Sequence, residues 1–333
     1  MEGVHAQILQ KKGDPRYYLW ADGRWYFYNS MDKPLGSGAM GTVYVGYSMD
    51  GKHKVAIKRV KDKYSDVESI RKRAKLEASL AFRHPNLVEM LGVCEYPDHK
   101  GPIFILSNYV DGLTLDKHIK VHLEGNPNRE MIIAREICNV LDALSYLHSR
   151  GVVHRDIKPS NIMIEEGKMA RLMDLGIAKM NNSDGHTSSG FVGTPQYAAP
   201  EQILRKEDED STLNSNREIN ATTDIYALGV TFYELLTGVN PFDSEIDSEI
   251  LDNSLKKKLP KNKMISKKLM KVLWKATEKE QNKRYQTAAE FKTEIENALF
   301  ERQTGGGIDI DNKLLIGVAS VVTLVAVLLI FLL

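Results

Sequence analysis

The sequence has few of the features that would place it in several large protein classes. Only two of its 333 residues are cysteine, too few for a disulfide framework and typical of a reducing compartment. Its 45 basic and 44 acidic residues give a formal charge of +1, so no nucleic acid partner is expected. No internal repeat and no secretory signal peptide is visible, and the length predicts one main domain with short extensions.

Long apolar runs are absent until the last twenty residues of the sequence. Residues 314–333 contain no charge and no proline. About 20 helical residues at 1.5 Å each match the roughly 30 Å hydrocarbon layer of a bilayer. We therefore expect residues 314–333 to be a transmembrane helix in contact with lipid, preceded by a glycine-containing juxtamembrane linker at 301–313.

The run H-R-D-I-K-P-S-N at 154–161 is the most informative chemical motif. Asp156 is able to accept the proton of an attacking hydroxyl, and Lys158 to neutralise charge on a transferred phosphoryl group. Asn161 is able to hold Mg²⁺ through its amide oxygen. These three residues together indicate phosphoryl transfer.

The motifs on either side of this run belong to the same chemistry. Upstream, G-S-G-A-M-G-T-V at 36–43 is a glycine-rich loop whose backbone could bend closely over phosphate oxygens. The β-rich run V-A-I-K follows it instead of a long helix, which argues against a dinucleotide-binding fold and places Lys58 near the phosphates. Downstream, Asp174 in M-D-L-G is a carboxylate suited to Mg²⁺ that bridges ATP phosphates.

Lys58 would need a counter-charge if the cleft drew it away from water. The charged helical segment at 66–82 offers several carboxylates, and Glu77 stands directly before an apolar stretch. We expect an ion pair between Lys58 and Glu77. The alternative is that Glu77 is one member of a charged, solvated helix face.

Taken in order, these motifs resemble those of Hanks-type serine/threonine protein kinases of the bacterial kind, over roughly residues 30–300. The resemblance implies an α+β fold with two lobes. The small lobe, at 30–110, would be β-rich with one main helix, and the larger lobe, at 111–300, would be mainly α-helical. Residues 1–29 would form an aromatic-rich extension, in which Asp22-Gly23 predicts the turn of a hairpin between Tyr17 and Tyr28 rather than a ligand-binding cage.

The resemblance also implies a role for each motif residue. Asp156 would be the catalytic base with Lys158 beside it, and Asn161 and Asp174 would bind Mg²⁺, or Mn²⁺ in its place. Thr194 would shape the shelf on which a substrate chain lies. The residues expected to bind ATP are Leu35, Gly36, Ser37, Gly38, Gly41, Val43, Ala56, Lys58, Glu77, Asn108 and Val110.

Other residues are expected to support the site. By resemblance, Asp224 would hold the catalytic loop from beneath, and Glu201 would pair with Arg284. His154 follows two apolar residues and is expected to be a structural histidine. The polar stretch at 205–223 is longer than the family usually has there and predicts a solvated surface insertion.

The resemblance implies a serine/threonine kinase that uses ATP and acts on protein hydroxyls. Because such a domain must face ATP, we expect it to lie in the cytoplasm, anchored in the membrane by the C-terminal span at 314–333. Between Asp174 and Glu201, the hydroxyls of Thr187, Ser188 and Ser189 are candidate phosphorylation sites, and self-association would let one molecule modify another. The alternative is a pseudokinase scaffold that binds nucleotide without turnover. Such proteins commonly lose a catalytic lysine or aspartate, and none is missing here.

Overall fold

A computed structural model describes residues 7–38, 41–61, 71, 74–75, 82–97, 101–165, 167–174, 195–204 and 218–305. The strands in these residues are β1 Ile8–Leu9, β2 Arg16–Ala21, β3 Arg24–Asn29, β4 Gly36–Ser37, β5 Gly41–Ser48, β6 Lys54–Val60, β7 Met90–Cys94, β8 Phe104–Asn108, β9 Gly112–Thr114, β10 Ile162–Glu165 and β11 Arg171–Leu172. The helices are α1 Leu115–His122, α2 Arg129–His148, α3 Pro200–Leu204, α4 Ala221–Thr237, α5 Asp247–Lys256, α6 Lys267–Ala276 and α7 Ala288–Gly305.

The small lobe is built on one antiparallel sheet with the strand order β1-β2-β3-β5-β6-β8-β7, and β4 pairs with β5. Alternate residues of a strand point to opposite faces. On one face Val55, Ile57 and Leu106 are buried. Ala56 and Lys58 therefore point to the other face, where they line a cleft.

Residues 16–29 form the hairpin that the sequence predicts, so this prediction is confirmed. Its two strands are in register through the pair Ala21 and Arg24. The turn residues Asp22 and Gly23 have φ values of 46° and 72°. Two consecutive positive φ values suit the right-handed twist of a hairpin, which is why Asp-Gly is favoured there. β3 then pairs with β5, so the aromatic extension continues the small-lobe sheet.

The extension also contributes to the small-lobe core. Leu19, Tyr26 and Tyr28 are buried in one cluster with residues of β6, β7 and β8. The thiol of Cys94 donates to the carbonyl oxygen of Trp20 at 3.2 Å, so β7 and β2, near opposite ends of the strand order, meet. Burial raises the pKa of the Cys94 thiol to about 12. The sheet is therefore strongly curled around an aromatic core.

The large lobe is organised around α4, which is buried over almost its whole length. Asn220 caps its first turn by accepting from the backbone N–H of Thr222, and Gly238 ends it with φ 79°. Thr223 is fully buried. The sequence predicts a surface insertion that ends at residue 223. This end is wrong, because α4 begins at residue 221 and its first turn is buried. Residues 205–217 lie outside the described part.

Residues 1–295 form one compact unit and residues 296–333 a second. Of the second unit, the structure describes 296–305 as the end of α7. Within the described residues, no helix combines the length and the apolar character needed to cross a bilayer. The predicted span at 314–333 lies outside the described residues, so it stays a prediction.

Candidate active site

A cleft of about 440 Å³ lies between the two lobes. Its small-lobe wall includes Val43 and Ala56 from β5 and β6, and its large-lobe wall includes Met163 and Leu172 from β10 and β11. The walls are mostly apolar. The charged side chains of Lys58 and Asp174 lie next to each other on the lining. A concave, mostly apolar cleft with a few polar groups is typical of a small-molecule site.

Most of the residues predicted to bind ATP reach this cleft. Those that line it are Leu35, Gly36, Val43, Ala56, Lys58, Asn108 and Val110. Ser37, Gly38 and Gly41 do not appear on its wall. Glu77 and its predicted pair with Lys58 lie outside the described residues.

Gly41 is a glycine for a reason that the sequence does not reveal. A Cβ at this position would lie 2.6 Å from the backbone oxygen of Arg59 on the paired strand β6. The side chain is excluded by strand packing, not by a need to approach phosphate. Gly36 and Gly38 have open space at the corresponding position, so for them the close-approach interpretation stays a prediction.

The strand β8 leads from the sheet into the segment that joins the lobes. Asn108 is the last residue of β8, and its backbone N–H donates to the backbone oxygen of Glu89 at 2.9 Å. The Asn108 side-chain amide also donates to Glu89, at 3.3 Å. The side chain and the backbone N–H of Asn108 are thus occupied by Glu89, which leaves the backbone oxygen of Asn108 for the cleft. Val110, two residues on, is buried against the same cavity.

Sequence reasoning missed much of the large-lobe wall. Met163 lines the cleft, between Ile162 and Ile164, which are buried in the lobe itself. Strand alternation predicts that Met163 faces away from Ile162 and Ile164. It does not predict that this face borders the cleft. Other lining residues that were not predicted are Phe82, Leu87, Val88, Met90, Ile105, Leu113, Thr114, Lys117, Ser160, Leu172 and Met173.

The loop between α2 and β10 brings the predicted catalytic residues together. The side-chain amide of Asn161 donates to the backbone oxygen of Asp156 at 2.8 Å and to its Oδ2 at 3.1 Å. The Nζ of Lys158 lies 3.3 Å from the same Oδ2. One carboxylate, one cation and one amide thus share a single hydrogen-bonded group.

Asp224 supports this loop from α4, as expected. Its Oδ2 accepts the backbone N–H of His154 and its Oδ1 that of Arg155, both at 2.7 Å. His148 contacts the same carboxylate through Nε2 at 2.8 Å. Arg155 has φ 68°, a conformation that non-glycine residues rarely adopt and that surrounding contacts must hold. Asp224 supplies those contacts.

His154 is a scaffold residue, as predicted. It is fully buried, and burial lowers its pKa. Its Nε2 contacts the backbone oxygen of Met173 at 3.1 Å, while Nδ1 accepts the backbone N–H of Asp156 at 3.3 Å. A neutral ring with one donor and one acceptor nitrogen meets both contacts. It links the catalytic loop to the segment before Asp174.

Asp174 lies beside both Lys58 and the catalytic loop. Its Oδ2 is 3.1 Å from the Nζ of Lys58. The backbone N–H of the preceding Met173 donates to the backbone oxygen of Asn161 at 2.9 Å, which brings the two predicted metal ligands close together. The side-chain N–H₂ group of Asn161 donates to Asp156, so its amide oxygen is left to act as a metal ligand.

The carboxylate of Asp174 and the amide oxygen of Asn161 are suitable ligands for Mg²⁺. A magnesium ion is commonly held by one or two carboxylates together with substrate phosphates and water. The described residues hold no cluster of three or more histidine, cysteine, aspartate or glutamate side chains that would bind a metal alone. Asn161 and Asp174 would therefore hold the ion jointly with a phosphate-bearing ligand.

Behind the site, the predicted pair of Glu201 and Arg284 is present. The two guanidinium Nη atoms donate to the two carboxylate oxygens at 2.8 and 2.9 Å, and both side chains are at most 2% exposed. Thr223 donates to Glu201 at 2.8 Å. The pair therefore joins α3 to α4 and to the segment before α7.

The predicted residues Thr187, Ser188, Ser189 and Thr194 lie outside the described part.

Comparison with known proteins gives one family. The sequence model of the protein kinase domain matches residues 29–294. The serine/threonine-protein kinase pkn3 of Myxococcus xanthus is 35% identical over 222 residues, which is 63% of this chain and 38% of that protein. PknB of Mycolicibacterium smegmatis is 33% identical over 216 residues, 62% of this chain and 32% of that protein. The chain spans about a third of the length of these curated relatives.

Solved structures show the same fold. The Mycobacterium tuberculosis PknI kinase domain superposes with a TM-score of 0.60 at 23% identity, covering 89% of this chain and all of that chain. A mutant of that domain gives a TM-score of 0.61 at 24% identity, covering 82% and 95%. The predicted two-lobed α+β fold is thereby confirmed.

We expect Arg284→Met to lower the free energy of unfolding by about 3–5 kcal/mol, because it leaves the Glu201 carboxylate buried without its partner. Urea denaturation followed by circular dichroism measures this. The control is Lys283→Met, since the side chains of Lys283 and its partner Glu280 are 56% and 62% exposed; there the expected change is below about 1 kcal/mol. Equal stability of the two variants would contradict the role given to Arg284.

Proposed function

The chain belongs to the protein kinase domain family, and we propose that it is an ATP-dependent serine/threonine protein kinase. It would transfer the γ-phosphoryl group of ATP to serine or threonine hydroxyls of protein substrates. The observation that carries this is the group formed by Asp156, Lys158 and Asn161, with Lys58 and Asp174 paired at the cleft beside it. No functional group that phosphoryl transfer requires is missing from the sequence.

The cleft orients the nucleotide. Its mostly apolar walls, with Val43 and Ala56 on one side and Met163 and Leu172 on the other, suit an adenine ring. The backbone oxygen of Asn108 and the backbone groups of Val110 are available on the cleft lining for hydrogen bonds to the ring. Lys58 at the same cleft supplies a positive charge for the phosphates. Orientation of this kind makes a large contribution to rate, because it replaces a chance encounter by a fixed geometry.

The catalytic loop handles the acceptor hydroxyl. Asp156 orients the hydroxyl and accepts its proton as the oxygen attacks the γ-phosphorus, while the bond from that phosphorus to the β,γ-bridging oxygen breaks and ADP leaves. Lys158 lies 3.3 Å from the Asp156 carboxylate, so its charge is available to the transferred phosphoryl group as well. Mg²⁺, or Mn²⁺ in its place, would arrive with ATP at Asn161 and Asp174 and neutralise charge on the phosphate oxygens.

The acceptor class has support from two sources. Lys158 stands two residues after Asp156, a pattern typical of kinases that phosphorylate serine and threonine. The curated relatives pkn3 and PknB carry the name serine/threonine-protein kinase. Thr194, which is expected to contact the substrate chain, fits the same class by its sequence context. Protein serine and threonine are therefore the proposed acceptors.

The kinase domain would be attached to a membrane by residues 314–333. Twenty consecutive uncharged residues support this, since that length of helix matches a bilayer. ATP is abundant in the cytoplasm, so the kinase domain would lie on that side.

Phosphorylation of Thr187, Ser188 or Ser189 would add about −1.5 to −2 charges to the segment after Asp174, and Arg155 could form an ion pair with the added phosphate. Self-association on the membrane would favour phosphorylation in trans.

Asp156→Asn should lower kcat by at least about 100-fold, because it removes the proton acceptor, while ATP binding is retained. Lys58→Met should lower kcat comparably by misplacing the phosphates. Transfer from labelled ATP to a basic test protein, with nucleotide binding by calorimetry, measures both. Asp142→Asn is the matched control, since this exposed aspartate pairs with Lys292 and should keep the parental rate. Parental rates in Asp156→Asn would refute the proposed kinase, and binding without turnover in the parent would indicate a pseudokinase.

The full chain should remain in the membrane pellet after washing with high salt and alkaline carbonate, because apolar insertion is insensitive to ionic screening. A variant with Val322→Arg and Val325→Arg should be released, since each central charge opposes insertion by about 2.5–3.5 kcal/mol. Immunoblotting of pellet and supernatant measures the distribution. Release of the parent by salt would contradict the anchor without affecting the kinase assignment.

The parent should carry phosphate on Thr187, Ser188 or Ser189, whereas protein with Asp156→Asn should not, because the modification is expected to depend on its own activity. Mass spectrometry of the two proteins detects it. A variant with all three hydroxyl residues changed to alanine should lose activity, while Ser183→Ala, in the same polar run, serves as the control. A triple-alanine protein as active as the parent would show that this segment is not the switch.

A further inference from the structure

One part of the large-lobe surface carries positive charge without any negative charge beside it in the sequence. Residues 253–277 contain no aspartate, glutamate or arginine, although the chain as a whole has 44 acidic residues beside 45 basic ones. The same stretch contains nine lysines, at positions between 256 and 275, and all nine are exposed. The rest of the chain is therefore net acidic, and the positive charge is concentrated at one place.

Some of these lysines lie on α6. Lys267, Lys271 and Lys275 follow each other at intervals of four residues, a spacing that places side chains along one side of a helix. Leu269 and Leu273 of the same helix are buried in the lobe. The amphipathic pattern of α6 therefore turns its lysines outward.

The loop at 257–266 runs back along the same helix. The Trp274 indole N–H donates to the backbone oxygen of Leu259 at 2.8 Å, and Lys258 Nζ lies 3.6 Å from the Glu278 carboxylate. The start of the loop is thus beside the end of α6, and the end of the loop leads into the first residue of α6. The nine lysines of the loop and its two flanking helices form one continuous surface, which we call the lysine face.

The lysine face has a fixed shape and includes an apolar side chain. The backbone N–H of Ser266 donates to Glu130 on α2 at 2.8 Å, and that of Met264 donates to the side-chain oxygen of Asn262 at 2.9 Å. Ile265 between them is buried, whereas Met264 is 52% exposed. The loop thus holds a methionine outward among the lysines.

Several of these cations have no carboxylate partner within the part of the chain that the structure describes. They are Lys257, Lys261, Lys263, Lys267 and Lys271. Like charges that are crowded without counter-charge repel one another, which an anionic surface would relieve. None of the five lines the active-site cleft, so a partner at this surface would leave nucleotide binding free.

We propose that the lysine face binds the anionic headgroups of a bilayer. Each lysine close to an anionic leaflet raises binding by about fivefold, and the cytoplasmic leaflet is the anionic one. Lysine is a compact, hydrated point charge, which suits diffuse attraction to many headgroups better than the bidentate recognition that arginine provides. Met264 would enter between the headgroups. The proposed span at 314–333 would keep this face near a bilayer, and to that extent the inference rests on the proposed function.

Lysine labelling of the full chain in vesicles tests the inference. The vesicles contain phosphatidylcholine alone, or equal parts of phosphatidylcholine and phosphatidylglycerol, and mass spectrometry gives the labelling rate of each lysine. Lys261, Lys263 and Lys267 should react about fivefold more slowly in the anionic vesicles, and high salt should abolish the difference. Lys11 and Lys120, which are exposed elsewhere, should react equally in both. Equal rates on the lysine face, or equal slowing of all lysines, would overturn the inference.

Two sets of variants with matched charge provide the control. Changing three lysines of the lysine face together, Lys261→Gln, Lys263→Gln and Lys267→Gln, should abolish the protection of Lys257 and Lys271 while phosphoryl transfer is kept. Changing three exposed lysines outside it, Lys11→Gln, Lys12→Gln and Lys120→Gln, should leave that protection unchanged. Protection that falls equally in both sets would show a general effect of charge and would overturn the inference.

A methionine variant distinguishes a bilayer from another polyanion. Met264→Gln should weaken the protection by about fivefold, because apolar side chains gain free energy at a bilayer but not on a nucleic acid. Met49→Gln is the control, since Met49 is 60% exposed outside the lysine face. Equal protection in the two variants, or stronger protection by an oligonucleotide than by anionic vesicles, would overturn the assignment to a bilayer.

The proposed function and this inference fail in different ways. A parent chain without phosphoryl transfer would refute the kinase assignment and leave the labelling pattern unaffected. A parent that salt releases from vesicles would refute the anchor, yet its lysine face should still be protected by anionic vesicles at low salt. An active, anchored parent that is labelled alike in both kinds of vesicle would leave the kinase and the anchor intact and remove the role of the lysine face.

Discussion

The buried carboxylate of Asp224 is the contact on which the catalytic loop depends. It is fully buried and accepts hydrogen bonds from two successive backbone amides at 2.7 Å. A left-handed conformation at Arg155 opposes this arrangement by about 1–3 kcal/mol, and charge-assisted hydrogen bonds of this kind are strong enough to offset it. Asp156 follows directly, so its position is set by a helix in the core of the large lobe rather than by the loop itself.

The same helix connects the catalytic loop to the rest of the large lobe. Its first turn is capped by Asn220, and Thr223 in that turn donates to Glu201. Glu201 in turn is paired with Arg284. The backbone below the catalytic loop and the end of the segment that follows Asp174 are thereby fixed to one rigid element. A change at Arg284 therefore acts directly on Glu201 and, through α4, on the backbone below the catalytic loop.

The catalytic loop could be predicted from sequence because its chemistry is local. Asp156, Lys158 and Asn161 stand within six residues, so their spacing alone implies that they lie close together. The turn at Asp22-Gly23 was predictable for the same reason, since positive φ values are a property of those residues. By resemblance, Asp224 and the pair of Glu201 and Arg284 could also be anticipated across long separations.

Other features depend on packing that no local pattern records. Gly41 is required by the backbone of a neighbouring strand, and Met163 reaches the cleft only because its strand forms one wall. The pairing of Glu95 with Arg71 joins residues 24 apart, with nothing in either neighbourhood to identify the partner. The first turn of α4 was mistaken for surface because its threonines are polar, yet they are buried with their hydroxyls hydrogen-bonded.

Asp174 lies where the backbones of the two lobes meet, so side chains from both lobes come close to it. Leu172, two residues before it, donates to Asn86 at 2.8 Å and accepts from Val88 at 2.9 Å, on the segment that leads into β7. The Asn86 side chain also donates to Ala170 at 3.0 Å. Asp174 is thus tied to the small-lobe sheet through β11 and to the catalytic loop through Met173. Lys58 contacts it from β6, so the charges that would surround a transferred phosphoryl group come from both sides of one short connection.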